Sequence, residues 1–153
     1  MPVSKLKQYL DDNEIKFVTV SHSAAYTAQE VAAVAHISGK ELAKTVMVKV
    51  NGELAMAVLP ASQYVDFEVL AEAAGGATVE MAGEEEFESR FPDCEMGAMP
   101  PFGNLYDMNV YLSPALAEDE EVAFNAGSHT ELVKLKYSDY ERLVEPAIVK
   151  LPR

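Results

Sequence analysis

The chain is short of cations. Lysine and arginine total 12 against 25 aspartates and glutamates, a formal net charge of −13. Proteins that grip long stretches of duplex nucleic acid present a broad basic surface. Between Asn51 and Glu131 the one lysine or arginine here is Arg90, and carboxylates cluster at Glu84-Glu85-Glu86 and Glu118-Asp119-Glu120-Glu121. Only a local patch can form where the two cationic ends of the chain meet, so extensive duplex binding is disfavoured. Cysteine is almost missing too. Cys94 has no partner for an internal disulfide and no metal-ligand spacing around it, which fits a reducing cytoplasm. No apolar run approaches the ~20 residues of a membrane-crossing helix. No apolar signal core follows Met1-Pro2-Val3-Ser4-Lys5, so export is not expected. Neither a glycine-rich dinucleotide fingerprint nor a Gly-x-Ser-x-Gly elbow is found. Hydrophobic content of 49% and charged content of 24% exclude a disordered chain. At 153 residues the expectation is one domain over 1–153.

What is present centres on Ala43-Lys44-Thr45-Val46-Met47-Val48-Lys49-Val50, an apolar strand with a lysine at its mouth. It runs through Asn51-Gly52, a strong hairpin signal, into a second apolar run from Leu54 to Leu59. Lys44 either blunts a sheet edge or is held in a polar cleft for a charged ligand.

Around that hairpin, helix and strand signals alternate. Val3, Leu6, Tyr9 and Leu10 fall at helical spacing behind Ser4 as a candidate cap, and Ile15 to Val20 reads as a strand. Thr27-Ala28-Gln29-Glu30 is a capping box before an alanine- and valine-rich helix. Asp66 can cap a helix through Phe67 and Leu70 that closes at Gly75-Gly76. Thr78 to Met81 reads as a strand, and the acidic Glu84 to Phe91 as a helix stopped by Pro92. Asn109 to Leu112, Val122 to Phe124 and Leu132 to Lys136 read as strands, the first two separated by Pro114 and an acidic turn. Ser138-Asp139-Tyr140-Glu141 reads as a capping box opening a final helix. Closely spaced late strands and the hairpin require antiparallel pairing, which makes the fold α+β with a mixed sheet.

Taken singly, the chemical candidates are ambiguous. Gly97-Ala98-Met99-Pro100-Pro101-Phe102-Gly103 is either a rigid covering turn or a loop whose glycines let amides approach a ligand carbonyl. His22, His36 and His129 lack the spacing of a metal site. Acidic neighbours make Cys94 a poor nucleophile.

Their order along the chain is more informative. His22, Thr27-x-x-Glu30, Lys44-Thr45, the Asn51-Gly52 hairpin, Gly97-x-x-x-Pro101-x-Gly103 and Phe124-x-Ala126-Gly127 follow one another as in the YbaK/prolyl-tRNA-synthetase-associated editing domain family, which the chain resembles from about His22 to Leu143. The resemblance implies a curved, barrel-like mixed sheet surrounded by helices. It implies a trans-editing hydrolase that deacylates mischarged aminoacyl-tRNA, on tRNA-Pro or a related tRNA, without a cofactor. The partners it implies are the 3′ acceptor end and a prolyl-tRNA synthetase. The rival reading is an inactive module that binds an aminoacyl-adenosine-like ligand or a synthetase.

Carried over by position, the resemblance makes Lys44, Gly97, Ala98 and Pro101 the catalytic set. Lys44 would hold the terminal phosphate or ribose of the 3′ adenosine, and the amides from Gly97 to Pro101 would stabilise the ester oxyanion. His22, Thr27, Thr45, Met99, Pro100, Gly103, Gly127, Ser128 and His129 would contact the substrate. The attacking water would be assisted by the ribose hydroxyl beside the ester. Whether His129 senses the amino acid, activates water or faces solvent is left open.

Overall fold

The computed structural model describes residues 4–21 and 41–151. Helix α1 (Ser4–Asp12) leads into β1 (Phe17–Ser21), and the long hairpin follows as β2 (Leu42–Val50) and β3 (Glu53–Pro60). Its turn residues Asn51 and Gly52 have φ of 52° and 83°. Two consecutive positive φ angles match the right-handed twist of the flanking strands, which is why Asn-Gly specifies this register. Asn51 also exchanges bonds with Thr78, its amide donating to the Thr78 carbonyl at 2.8 Å and its Oδ1 accepting from the Thr78 amide at 3.0 Å. The turn thereby fixes the start of β4 (Val79–Met81).

Helix α2 (Phe67–Ala73) is capped as expected, with Asp66 Oδ1 accepting from the amides of Glu68 and Val69 at 3.0 and 3.1 Å. The acidic helix is shorter than its sequence predicts. α3 (Glu84–Phe87) passes into a 3₁₀ turn, Glu88–Arg90. Strand β5 (Asn109–Leu112) is followed by α4 (Pro114–Ala117), where a turn is expected; Ser113 caps it and Pro114 takes the first helical position. Strands β6 (Glu121–Asn125) and β7 (Glu131–Lys136) then lead to α5 (Tyr137–Val144) and a short β8 (Ala147–Ile148) that the sequence reading lacks. The expected capping box at Ser138 does not form. α5 begins two residues earlier, with Lys136 at its N-cap, and Glu141 instead accepts from the Tyr137 hydroxyl at 3.0 Å.

The sheet is mixed, in the order β1-β7-β6-β2-β3-β5-β8, with β4 joined to β2. β2 is its hub. One edge of β2 pairs along its length with β3, from Ala43–Pro60 to Val50–Glu53. The other edge is shared: β6 runs parallel to Leu42 and Ala43, and β4 runs antiparallel to Val48, Lys49 and Val50. The sheet therefore forks at β2. One face packs a core that includes Met47, Met56, Val58, Met99, Phe102, Phe124 and Tyr140, and the other a smaller cluster around Val48, Leu59, Leu70 and Leu151. Phe102 lies with its centroid 5.3 Å from both Phe124 and Tyr140, so the glycine–proline loop is nailed into the larger core by an aromatic ring.

Candidate active site at the fork of the sheet

Between the last rung to β6, Ala43–Phe124, and the first rung to β4, Val48–Met81, no described strand pairs this edge of β2. Openings where neighbouring strands part company are where open α/β sheets bind ligands, because backbone and side chains converge there without filling the space. Lys44 and Thr45 stand at this opening.

Strand alternation sends the two to opposite faces. Lys44 is opposite Leu59 and Thr45 opposite Val58, so Lys44 shares the face of Leu59 and Leu70 while Thr45 shares the face of Met47 and Met99. Lys44 is half-buried, and loss of hydration holds its pKa below the ordinary lysine range. No carboxylate among the described residues pairs with it; its ammonium lies over the ring of Tyr64, 4.3 Å from the centroid. Asn125, one step beyond the Ala43–Phe124 rung, projects from β6 on the same face, and its Oδ1 is buried without a hydrogen bond. A desolvated cation held by an aromatic face is poised for an anion.

The glycine–proline loop joins the fork through Gly127, two residues after β6 ends. Gly127, at φ 94°, donates to the Ala98 carbonyl at 2.9 Å, and its own carbonyl accepts from the Glu95 amide at 2.8 Å. This close backbone approach is what the glycine permits. Within the loop, Gly97 is exposed while Ala98, Met99, Pro100, Pro101 and Gly103 are buried. The Ala98 amide is committed to the Glu95 carbonyl at 3.1 Å, and prolines 100 and 101 have no N–H to give. Among the described residues the Gly97 amide meets the Met99 thioether, at 3.2 Å, a weak acceptor that a developing oxyanion would displace. Gly97 is thus the loop's exposed donor, and the buried residues hold it in place. Pro101 does so through its carbonyl, which accepts from the buried Tyr140 hydroxyl at 2.7 Å. Gly103 lies under β5, where a Cβ would collide with the Met108 carbonyl, so packing alone requires glycine there.

His129 is buried, and its Nε2 lies 2.8 Å from the Met96 carbonyl. Its ring also backs onto Gly97, whose added Cβ would sit 3.4 Å from Cε1. Ser128 turns away, its hydroxyl 3.2 Å from that of Thr130. His22 and Thr27 lie outside the described residues. The structure therefore joins the Gly97 loop, Gly127 and His129 to one another just beyond β6, while Lys44 and Thr45 flank the unpaired stretch of β2 beside the β6 pairing. Sequence reading missed Tyr64 and Asn125. Tyr64 has no periodic signal, and Asn125 gains its place from a parallel pairing between residues far apart in sequence.

The remaining candidates are inert. Cys94 and Tyr106 face each other with Sγ and Oη 3.7 Å apart, and burial raises both pKa values. Among the described residues no cluster of three or more metal-ligating side chains occurs, and no helix is long and apolar enough to cross a membrane.

The chain is similar to known proteins over nearly its whole length. A relative in Escherichia coli K12, the multifunctional Ser/Thr-tRNA deacylase ProXp-y, is 30% identical over 97% of this chain and 92% of its own. The fold recurs in the crystal structure of a candidate trans-editing enzyme for prolyl tRNA synthetase, with a TM-score of 0.83 at 18% identity over 99% of this chain and 96% of that one. It recurs also in the hypothetical protein APE2540, with a TM-score of 0.86 at 17% identity over 98% and 100% of the two chains. The family model for the aminoacyl-tRNA editing domain matches residues 22–143, and the chain belongs to that family, as an aminoacyl-tRNA deacylase.

Proposed function

We propose that the chain acts in trans on the acceptor end of tRNA-Pro or a related tRNA, with seryl and threonyl esters among its substrates. The relative named as a Ser/Thr-tRNA deacylase supports that choice of amino acids. The observation that supports the reading most is an exposed Gly97 amide in a loop clamped by Gly127, just beyond the strand that pairs with β2 beside the desolvated Lys44.

Lys44 anchors the terminal phosphate or ribose as a point charge, leaving the ester beside the loop. Water adds to the ester carbonyl, and the Gly97 amide stabilises the negative charge on its oxygen. The carbon–oxygen bond to the ribose then breaks, the ribose oxygen takes up a proton, and free amino acid leaves. Three candidate nucleophiles are engaged without a base: Cys94 meets Tyr106, Ser113 caps Ala115 and Ser128 meets Thr130. The neighbouring ribose hydroxyl of the substrate is therefore assigned the role of orienting the water. Thr45, Met99 and His129 border the amino-acid side from the opposite face of the sheet, while a prolyl-tRNA synthetase holds the tRNA body that this acidic chain grips poorly.

The test is a deacylation panel of Ser-, Thr-, Ala-, Cys- and Pro-charged tRNA-Pro, with cognate seryl and threonyl tRNAs as controls. Each is run with and without prolyl-tRNA synthetase. Release of serine or threonine above the uncatalysed rate is expected. A panel with no release would leave only the binding-module reading.

A further inference from the structure

Tyr64 is among the most exposed large hydrophobic side chains of the described residues, 72% accessible, yet it stands over the half-buried Lys44. Isolated exposed aromatics need no explanation. This one differs because its backbone is fixed on both sides. The Ala61 amide donates to Leu42 at 2.8 Å, the Gln63 amide to Pro60 at 2.9 Å and the Asp66 amide to Leu151 at 2.9 Å. Val65, next in the chain, packs into the smaller core. The ring is thus presented from a rigid turn, with the lysine ammonium against one face and most of its remaining surface in water.

We propose that Tyr64 is a stacking platform for the terminal adenine base of the acceptor end. The inference rests on the assignment of Lys44 to the terminal nucleotide. If Lys44 holds the phosphate or ribose, the base attached to that ribose lies within reach of the ring that already shields the lysine. Aromatic side chains beside cations bind single-stranded nucleic acid in this way, since every base offers a π face. An adenine laid on Tyr64 also removes water from the Lys44–phosphate contact and strengthens it. The platform gives affinity for the nucleotide without reading the amino acid.

Two chemically made substrates test it: 3′-O-seryl-adenosine and the same ester on 1-O-methyl-ribose, which has no base. Tyr64→Ala is expected to raise KM for the adenosine ester about tenfold. It should leave kcat within about twofold and raise KM for the base-free ester severalfold less, since there only the support of Lys44 is lost, with Tyr64→Phe close to wild type on both. Equal losses on both esters, or no loss on either, would overturn the proposal. A second measurement is independent of hydrolysis. A CCA trinucleotide whose terminal adenine is replaced by 2-aminopurine should lose fluorescence on binding wild type and Tyr64→Phe but not Tyr64→Ala. Quenching unchanged in Tyr64→Ala, or absent in wild type, would sink the platform. If wild type quenches the probe but hydrolyses no ester, the platform stands and the deacylase reading falls.

Discussion

His129 donates from Nε2 to the carbonyl oxygen of Met96 at 2.8 Å, joining the turn after β6 to the residue just before Gly97. A carbonyl can only accept, so this bond sets the proton on Nε2. The ring at the same time backs the Gly97 Cα. His129 is therefore a positioning residue for the loop. His129→Ala is expected to lower kcat about tenfold or more with little change in KM, as expected when a donor aimed at the transition state drifts. His129→Gln, which can restore an N–H to Met96, should recover part of the loss. Steady-state kinetics on seryl-tRNA would decide; a loss confined to KM would point instead to direct substrate contact.

The two loop glycines should respond to alanine in opposite ways. At Gly97, φ is 88°, and alanine there costs about 1–2 kcal/mol while twisting the exposed amide away from the ester. Gly97→Ala should lower kcat strongly and thermal stability modestly. At Gly103, whose φ is unremarkable, the new methyl meets the Met108 carbonyl and the Val110 side chain in a sealed site. Overpacking against backbone costs about 3 kcal/mol or more. Gly103→Ala should therefore lose stability first, seen as a shifted denaturation midpoint. A stable but inactive Gly103→Ala protein would show that this glycine serves the site directly.

How much of this was legible in the sequence depends on range. Asn51-Gly52, Asp66 and Gly75-Gly76 act within a few residues, and each makes its turn or cap where its chemistry requires. The Ser138 box failed because a stronger partner existed nearby: Glu141 accepts from Tyr137, whose ring also packs in the core. Pro114 was read only as a separator between two strands, although a Ser cap followed by proline at the first helical position is also a helix start. Lys44 and the Gly97 loop were both visible, but not the fork in the sheet beside Lys44. That depends on β6 running parallel to β2 across about eighty residues of chain, and no local pattern encodes such a pairing.

Tyr140 links the final helix to the loop. Its hydroxyl, fully buried and with its pKa pushed far up by desolvation, donates to Pro101 at 2.7 Å. Tyr140→Phe leaves that carbonyl without a donor in a dry environment, a loss of about 1–3 kcal/mol. The ring still fills the space against Phe102, so the fold should persist. Denaturant titration should show a lower midpoint with an unchanged slope. A variant as stable as wild type would mean that another donor reaches Pro101.

Lys44 supplies the pH test. Desolvation lowers its pKa, so its cation is lost as pH rises through a value below the ~10.4 of an ordinary lysine. Affinity that depends on the cation should therefore fall before pH reaches the ordinary lysine range, as a rise in KM once uncatalysed ester hydrolysis is subtracted. The amino group of the substrate titrates in the same region and would blur the profile alone. Lys44→Arg separates the two, because a guanidinium stays charged throughout while the substrate titrates identically. The ratio of wild-type to Lys44→Arg KM should climb with pH, and Lys44→Ala should show a tenfold to hundredfold loss of kcat/KM at neutral pH, about the value of one charge-assisted contact. A ratio that stays flat from pH 7 to 10 would remove Lys44 from the role of anion anchor.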